Sequence, residues 1–169
     1  MIEQALEVRL GSLATRVGER LQAFGFMLAT AESCTGGWVA KVVTDIAGSS
    51  AWFDRGFVTY SNAAKQDMLG VRAETLDTHG AVSAAVVREM VLGALQRSRS
   101  QLAVAISGIA GPGGGSADKP VGTVWMAWGR IGQEPVVRCL PIAGDREQVR
   151  ARAVQAALEG VLELLQSHG

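Results

Sequence analysis

The stretch Phe26–Ile46, FMLATAESCTGGWVAKVVTDI, decides the fold. FMLATA is a short apolar run and reads as a buried strand. ESCTGG is a turn, with two glycines able to take positive φ. Trp38 to Ile46 reads as a helix, which Gly48-Ser49-Ser50 breaks. A buried strand, a tight turn and a helix form the opening of a βαβ unit.

Working outward, the same alternation continues. On the N-terminal side, Leu6, Leu10, Leu13, Val17, Leu21 and Phe24 form one apolar helical stripe, and Gly25 suits a C-cap. On the C-terminal side, a second strand fits Gly56–Tyr60 and a short helix fits Asn62–Leu69. Val71–Gly80 is charged and reads as turns. Ser83 can cap a helix running to about Arg97. Gln101–Ser107 (QLAVAIS) is a third buried strand, and Gly108–Pro120 a loop. Val121–Trp128 and Pro135–Ile142 read as strands joined by a hairpin-like link. Asp145 and Gln148 resemble a capping box that opens a last helix with Val154, Leu158, Val161 and Leu165 on one stripe.

Helical crossovers make the first three strands parallel, and the helix-free links make the fourth antiparallel to its neighbours. The expected fold is α/β: a three-layer α/β/α sandwich around a mixed five-stranded sheet in order 2-1-3-4-5. Residues 1–169 are expected to form one domain. In that order the chain reverses between strands one and three. Open α/β sheets bind ligands at the carboxyl ends of their strands beside such a switch point.

Composition agrees and excludes several classes. Sixteen basic and sixteen acidic residues cancel, so neither broad nucleic-acid binding nor membrane-surface binding is expected. MIEQALEVRL is charged and amphipathic, unlike a signal peptide, and no apolar run approaches ~20 residues. A cytoplasmic protein is the expectation. Cys34 and Cys139 give neither a disulfide framework nor metal spacing. With only His79 and His168, a His-based metal site or a Ser-His-Asp triad is not expected, nor any cofactor. The 21 glycines in 169 residues are roughly 12%, against ~7% in average proteins. Eight of them fall in Gly36–Gly37 and Gly108–Gly122, the loops leaving strands one and three. A homo-oligomer fits the long first and last helices, which could present apolar surface.

Several residues could carry chemistry. Ser33, Cys34, Thr35, Gly36 and Gly37 stand at a strand-to-helix turn, where free amides bind phosphate or an oxyanion. Ser33 is a candidate nucleophile, although this segment by itself favours Ser33 or Thr35 as a helix cap, because Ser and Thr are common caps. Lys65 is the best-placed base, provided burial strips its proton; most lysines are instead solvated. Tyr60 could orient it. Cys34 reads as a small buried cysteine rather than a reactive thiolate. Ser107, Gly108, Gly111, Gly113 and Gly114 belong to SGIAGPGGG, a loop that lets a ligand lie against bare backbone. Arg146, Arg150 and Arg152 open the last helix, where a phosphate or neighbouring carboxylates would pair with them.

AESCTGG (Ala31–Gly37), VTYSNAAKQDMLGV (Val58–Val71), GAVS (Gly80–Ser83), SGIAGPGGG (Ser107–Gly115), KPVGTVW (Lys119–Trp125) and GDREQVR (Gly144–Arg150) together resemble the CinA C-terminal domain family. The match runs in order from about Ala29 to the last helix. Some members carry a further N-terminal domain, which 169 residues are too few to include. Members with this activity hydrolyse the carboxamide of nicotinamide mononucleotide to nicotinate mononucleotide and ammonia, in pyridine-nucleotide recycling. The resemblance implies a metal-free Ser/Lys amidohydrolase with Ser33 as nucleophile, Lys65 as base and Tyr60 as supporting hydroxyl. A non-catalytic nucleotide-binding or sensor module of the same fold is the alternative, although it has no need for Ser33, Tyr60 and Lys65 together.

Overall fold

A computed structural model of the chain describes residues 3–166. His168 lies outside them. Five strands form one sheet in order β2-β1-β3-β4-β5: β1 (Leu28–Glu32), β2 (Phe53–Val58), β3 (Leu102–Gly108), β4 (Thr123–Arg130) and β5 (Val136–Pro141). β1 pairs parallel with β2 and β3, and β4 is antiparallel to both β3 and β5. The expected topology is the observed one.

Helices cover both faces because the strands alternate. Leu28, Leu102, Val104, Ile106, Val124, Met126 and Trp128 point to one face. Helices α1 (Gln4–Phe24), α2 (Trp38–Thr44) and α6 (Arg146–Gln166) pack there, burying the stripes Leu10/Leu13/Val17/Leu21 and Val154/Leu158/Val161/Leu165. The other face presents a floor of small residues: Ala29, Ala31, Ala103, Ala105 and Ala127. Short side chains let α5 (Ala84–Gln96) sit low on the sheet, with Val87, Met90, Val91 and Ala94 buried against it. Side chains standing perpendicular to a strand with period 2 produce both surfaces from the same residues.

Local signals set the helix ends. Gly25 ends α1 with φ 69°. Ser83 caps α5 by accepting from the Val86 amide at 3.3 Å. Asp145 and Gln148 exchange two hydrogen bonds of 2.9 Å at the start of α6, a reciprocal capping box. Trp128 lies across Gly160 of α6 and donates its indole N–H to the Ala157 carbonyl at 2.9 Å.

Two expectations need correction. The second strand spans Phe53–Val58, not Gly56–Tyr60, so Tyr60 lies beyond the strand's end. Val71–Gly80 is not merely turns: Ala73–His79 is helix α4. Its start is stabilised by Glu89 of α5, which accepts from the Arg72 amide (2.9 Å) and the Thr75 hydroxyl (2.6 Å). That cap comes from another helix and leaves no local pattern. The remaining helix, α3 (Asn62–Leu69), lies where it was expected. Among the described residues no helix is long and apolar enough to cross a membrane.

Candidate active site

The parallel strands β1, β2 and β3 end side by side. Pairing continues past β1: the Ser33 amide donates to Ile106 at 3.0 Å, and the Thr59 amide donates to Glu32 at 2.8 Å. Ser33 is therefore held between the chain leaving β2 and the end of β3. Ser61 then caps α3 by accepting from the Ala64 amide at 3.0 Å. One turn into α3, Lys65 points back at the sheet and is 1% exposed.

Lys65 Nζ lies 3.0 Å from Ser33 Oγ. It donates to the carbonyls of Thr59 (3.0 Å) and Tyr60 (3.4 Å). A neutral amine has two N–H bonds and one lone pair. Two carbonyls use the N–H bonds, which leaves the lone pair for the Ser33 hydroxyl proton. Burial lowers the Lys65 pKa from its ordinary value by disfavouring the ammonium. A buried lysine with a serine hydroxyl in reach has the geometry that a base needs to take the hydroxyl proton.

A cleft of about 290 Å³ opens over this pair. Ser33, Cys34, Tyr60, Lys65, Ser107, Gly108 and Arg146 line it, so these seven of the residues singled out from the sequence come together. Arg146 donates to the Gly111 carbonyl at 2.8 Å and to the Tyr60 hydroxyl at 3.4 Å. The Tyr60 hydroxyl thus meets Arg146, while the Tyr60 backbone carbonyl meets Lys65. Asn62, Ala81 and Val82 complete part of the wall and were not foreseen.

Other candidates sit elsewhere. Thr35 is fully buried and donates its hydroxyl to Glu32 at 2.6 Å. Gly36 (φ 57°) and Gly37 (φ 96°) take left-handed backbone, which turns the chain into α2. Gly113 and Gly114 lie in the exposed part of the glycine loop. Arg150 reaches the turn rather than the cleft: it donates to the carbonyls of Cys34 (3.0 Å) and Thr35 (3.4 Å). Burial, then the negative charge of Glu32, push the Cys34 thiol up to about 11, so a thiolate is scarce at neutral pH.

The amides of α2 are occupied. Glu32, 1% exposed, accepts from Val39 (2.9 Å) and Ala40 (3.1 Å) as well as from Thr35. The helix terminus therefore holds the protein's own carboxylate, not an open anion site. A charged residue ending an otherwise apolar strand was the available signal, because acidic residues are seldom buried without partners. Among the described residues no three His, Cys, Asp or Glu side chains converge as a metal ligand set.

A strand-ending serine beside a buried lysine, on an α/β sheet with a switch point, marks a hydrolase-like site. The model of the CinA C-terminal domain matches residues 10–165, and the chain belongs to that family. It is 60% identical over 150 residues to the nicotinamide-nucleotide amidohydrolase PncC of Escherichia coli K12, covering 89% of this chain and 91% of that one. It is 53% identical over 153 residues to the protein of the same name from Pseudomonas putida, covering 90% and 95%. Among solved structures, the competence/damage inducible protein CihA of Agrobacterium tumefaciens superposes with a TM-score of 0.90 at 49% identity, covering 92% of this chain and 95% of that one.

Proposed function

We propose that the chain is a nicotinamide-nucleotide amidohydrolase that converts nicotinamide mononucleotide and water to nicotinate mononucleotide and ammonia, with Ser33 as nucleophile and Lys65 as its base. The 3.0 Å contact between Lys65 Nζ and Ser33 Oγ at the floor of the cleft carries this reading. The identity to proteins named for the same activity supports the substrate.

Neutral Lys65 takes the Ser33 proton as Oγ attacks the carboxamide carbon. The carbonyl π pair moves to oxygen. The amide of Cys34, which donates to no backbone carbonyl among the described residues, serves as oxyanion donor beside Ser33. As the oxyanion collapses, the C–N bond breaks and Lys65 returns the proton to nitrogen, releasing ammonia. Water then attacks the Ser33 ester with Lys65 again as base, and the carboxylate product leaves as Ser33 regains its proton. No metal enters these steps. Arg146, at the cleft wall, is the cation best placed for the substrate phosphate. Tyr60 supports it through the contact between its hydroxyl and the guanidinium. In this role the enzyme recycles pyridine nucleotides.

The test is ammonia release by purified protein from nicotinamide mononucleotide. Ser33→Ala and Lys65→Ala should each abolish release with circular dichroism unchanged. Saturable binding without turnover by the unmodified protein would instead make it a binding module, and full activity in Ser33→Ala would sink the mechanism.

A further inference from the structure

α6 delivers two arginines one turn apart, and they do different work. Arg146 lines the cleft. Arg150, at i+4 on the same helical face, stops beneath the turn that carries Ser33. Its Nε donates to the Cys34 carbonyl at 3.0 Å and its Nη2 to the Thr35 carbonyl at 3.4 Å. The guanidinium lies 5.4 Å above the Trp38 ring, so one face is covered by an aromatic platform. Val149 and Ala151 on either side are fully buried, and the capping box fixes the helix start. The base of this side chain cannot move freely.

We propose that Arg150 is a positioning residue for the Ser33 reaction: it holds the carbonyls of the turn so that Ser33 Oγ and the Cys34 amide keep their places at the cleft. The inference rests on Ser33 acting as nucleophile. The turn is otherwise tied through the Ser33 amide to Ile106 (3.0 Å) and the Thr35 hydroxyl to Glu32 (2.6 Å), and neither bond holds the Cys34 carbonyl. Its internal backbone bonds are Gly36 N–H to Ser33 (3.0 Å) and Trp38 N–H to Thr35 (3.0 Å). Two of its residues, Gly36 and Gly37, carry the least conformational restraint of any residue type. A planar fork that meets two successive carbonyls supplies what glycine withholds. Peptide planarity transmits the effect, because fixing a carbonyl fixes the N–H on the other side of the same bond. The Cys34 carbonyl is thus set by Arg150 and the Thr35 carbonyl by Arg150 with Trp38, which orients the Thr35 and Gly36 amides; the Gly36 amide in turn holds the Ser33 carbonyl, whose peptide carries the Cys34 amide.

This role differs from substrate binding in what its loss removes. A turn that drifts by about 1 Å costs on the order of 100-fold in rate while ground-state binding persists. Arg150→Ala and Arg150→Lys are compared with the unmodified protein by kcat and KM for nicotinamide mononucleotide. They are also compared by the rate at which a fluorophosphonate labels Ser33, followed by intact mass. Labelling forms a Ser33 Oγ–P bond and expels fluoride, with the serine proton passing to Lys65, and it does not depend on the natural substrate. Expected is a fall in kcat of roughly 10- to 100-fold with KM within about twofold. Labelling should slow in parallel, with partial restoration by millimolar guanidinium in Arg150→Ala. Arg150→Lys keeps the charge without the fork and should fall between the two. A raised KM with unchanged kcat would make Arg150 a substrate contact and overturn the proposal. Unchanged kcat, KM and labelling in either folded variant would also overturn it. If the unmodified protein is labelled but releases no ammonia, the substrate assignment fails, and the labelling rates alone decide the role of Arg150.

Discussion

The Glu32 carboxylate accepts a hydrogen bond from the Val39 amide at 2.9 Å, so the first helix after Ser33 is capped by the residue just before that serine. Its remaining bonds go to Thr35 and Ala40. Glu32→Ala leaves two buried donors, Thr35 Oγ1 and the Val39 amide, and the half-buried Ala40 amide without an acceptor. The expected destabilisation is about 3–5 kcal/mol, read from urea unfolding midpoints. Glu32→Gln keeps one acceptor oxygen and should cost about half as much. Wild-type midpoints in both variants would show that the cap carries no stability.

Lys65 gives the reaction a direction in pH. Its folded pKa lies below the ordinary 10.5 because burial disfavours the ammonium. With the neutral form as the base in the proposed mechanism, kcat/KM should rise with pH through that lowered pKa and level off above it, about tenfold per unit on the acid limb. The same shift acts on stability. Between the folded pKa and 10.5 the unfolded chain binds the proton and the folded chain does not, so stability rises with pH there. Lys65→Met should remove that slope. Lys65→Arg keeps a cation but has no lone pair at any working pH, and should lose about 100-fold or more of kcat. An active Lys65→Arg enzyme would exclude Lys65 as the base.

Cys34 adjoins Ser33 but is held as the thiol, with a pKa pushed to about 11. Iodoacetamide at pH 8 should therefore modify the exposed Cys139 first and Cys34 slowly. Peptide mapping across pH should place the Cys34 midpoint near 11, and Glu32→Gln should move it down by removing a negative neighbour. Rapid labelling of Cys34 at pH 7 would contradict the burial argument.

Gly160 has no room for a methyl group. A Cβ there would come within 2.1 Å of the Trp128 indole. Gly160→Ala must displace the ring from its bond to Ala157, and the expected cost is about 1–3 kcal/mol. Tryptophan fluorescence should shift with it, and Trp128→Leu in the Gly160→Ala background should recover part of the loss. An unchanged melting temperature in Gly160→Ala would show that α6 can slide away instead.

The candidate site was partly legible in the chain. Ser33 could be placed at a strand's carboxyl end because strand, turn and helix follow one another within a dozen residues. Lys65 could be placed near it only through the strand order. Its burial was hidden, since SNAAK alone reads as the polar start of a helix. Arg150 was legible as a cation near a helix start and pointed to phosphate. The structure turns it toward Cys34 and Thr35, contacts with residues more than a hundred positions away.

The sequence by itself determined the alternation of elements, the caps at Gly25, Ser83 and Asp145, the sheet order and the loops where glycine concentrates. These follow from hydrophobic period and local backbone preference, which act over a few residues. Tertiary structure alone decided that α4 is a helix, that Glu32 fills the α2 terminus, and that Lys65 loses solvent beside Ser33. It also sent two arginines one turn apart to different partners. Each of these depends on which distant groups share a desolvated space, and desolvation is set only when the layers close over the sheet.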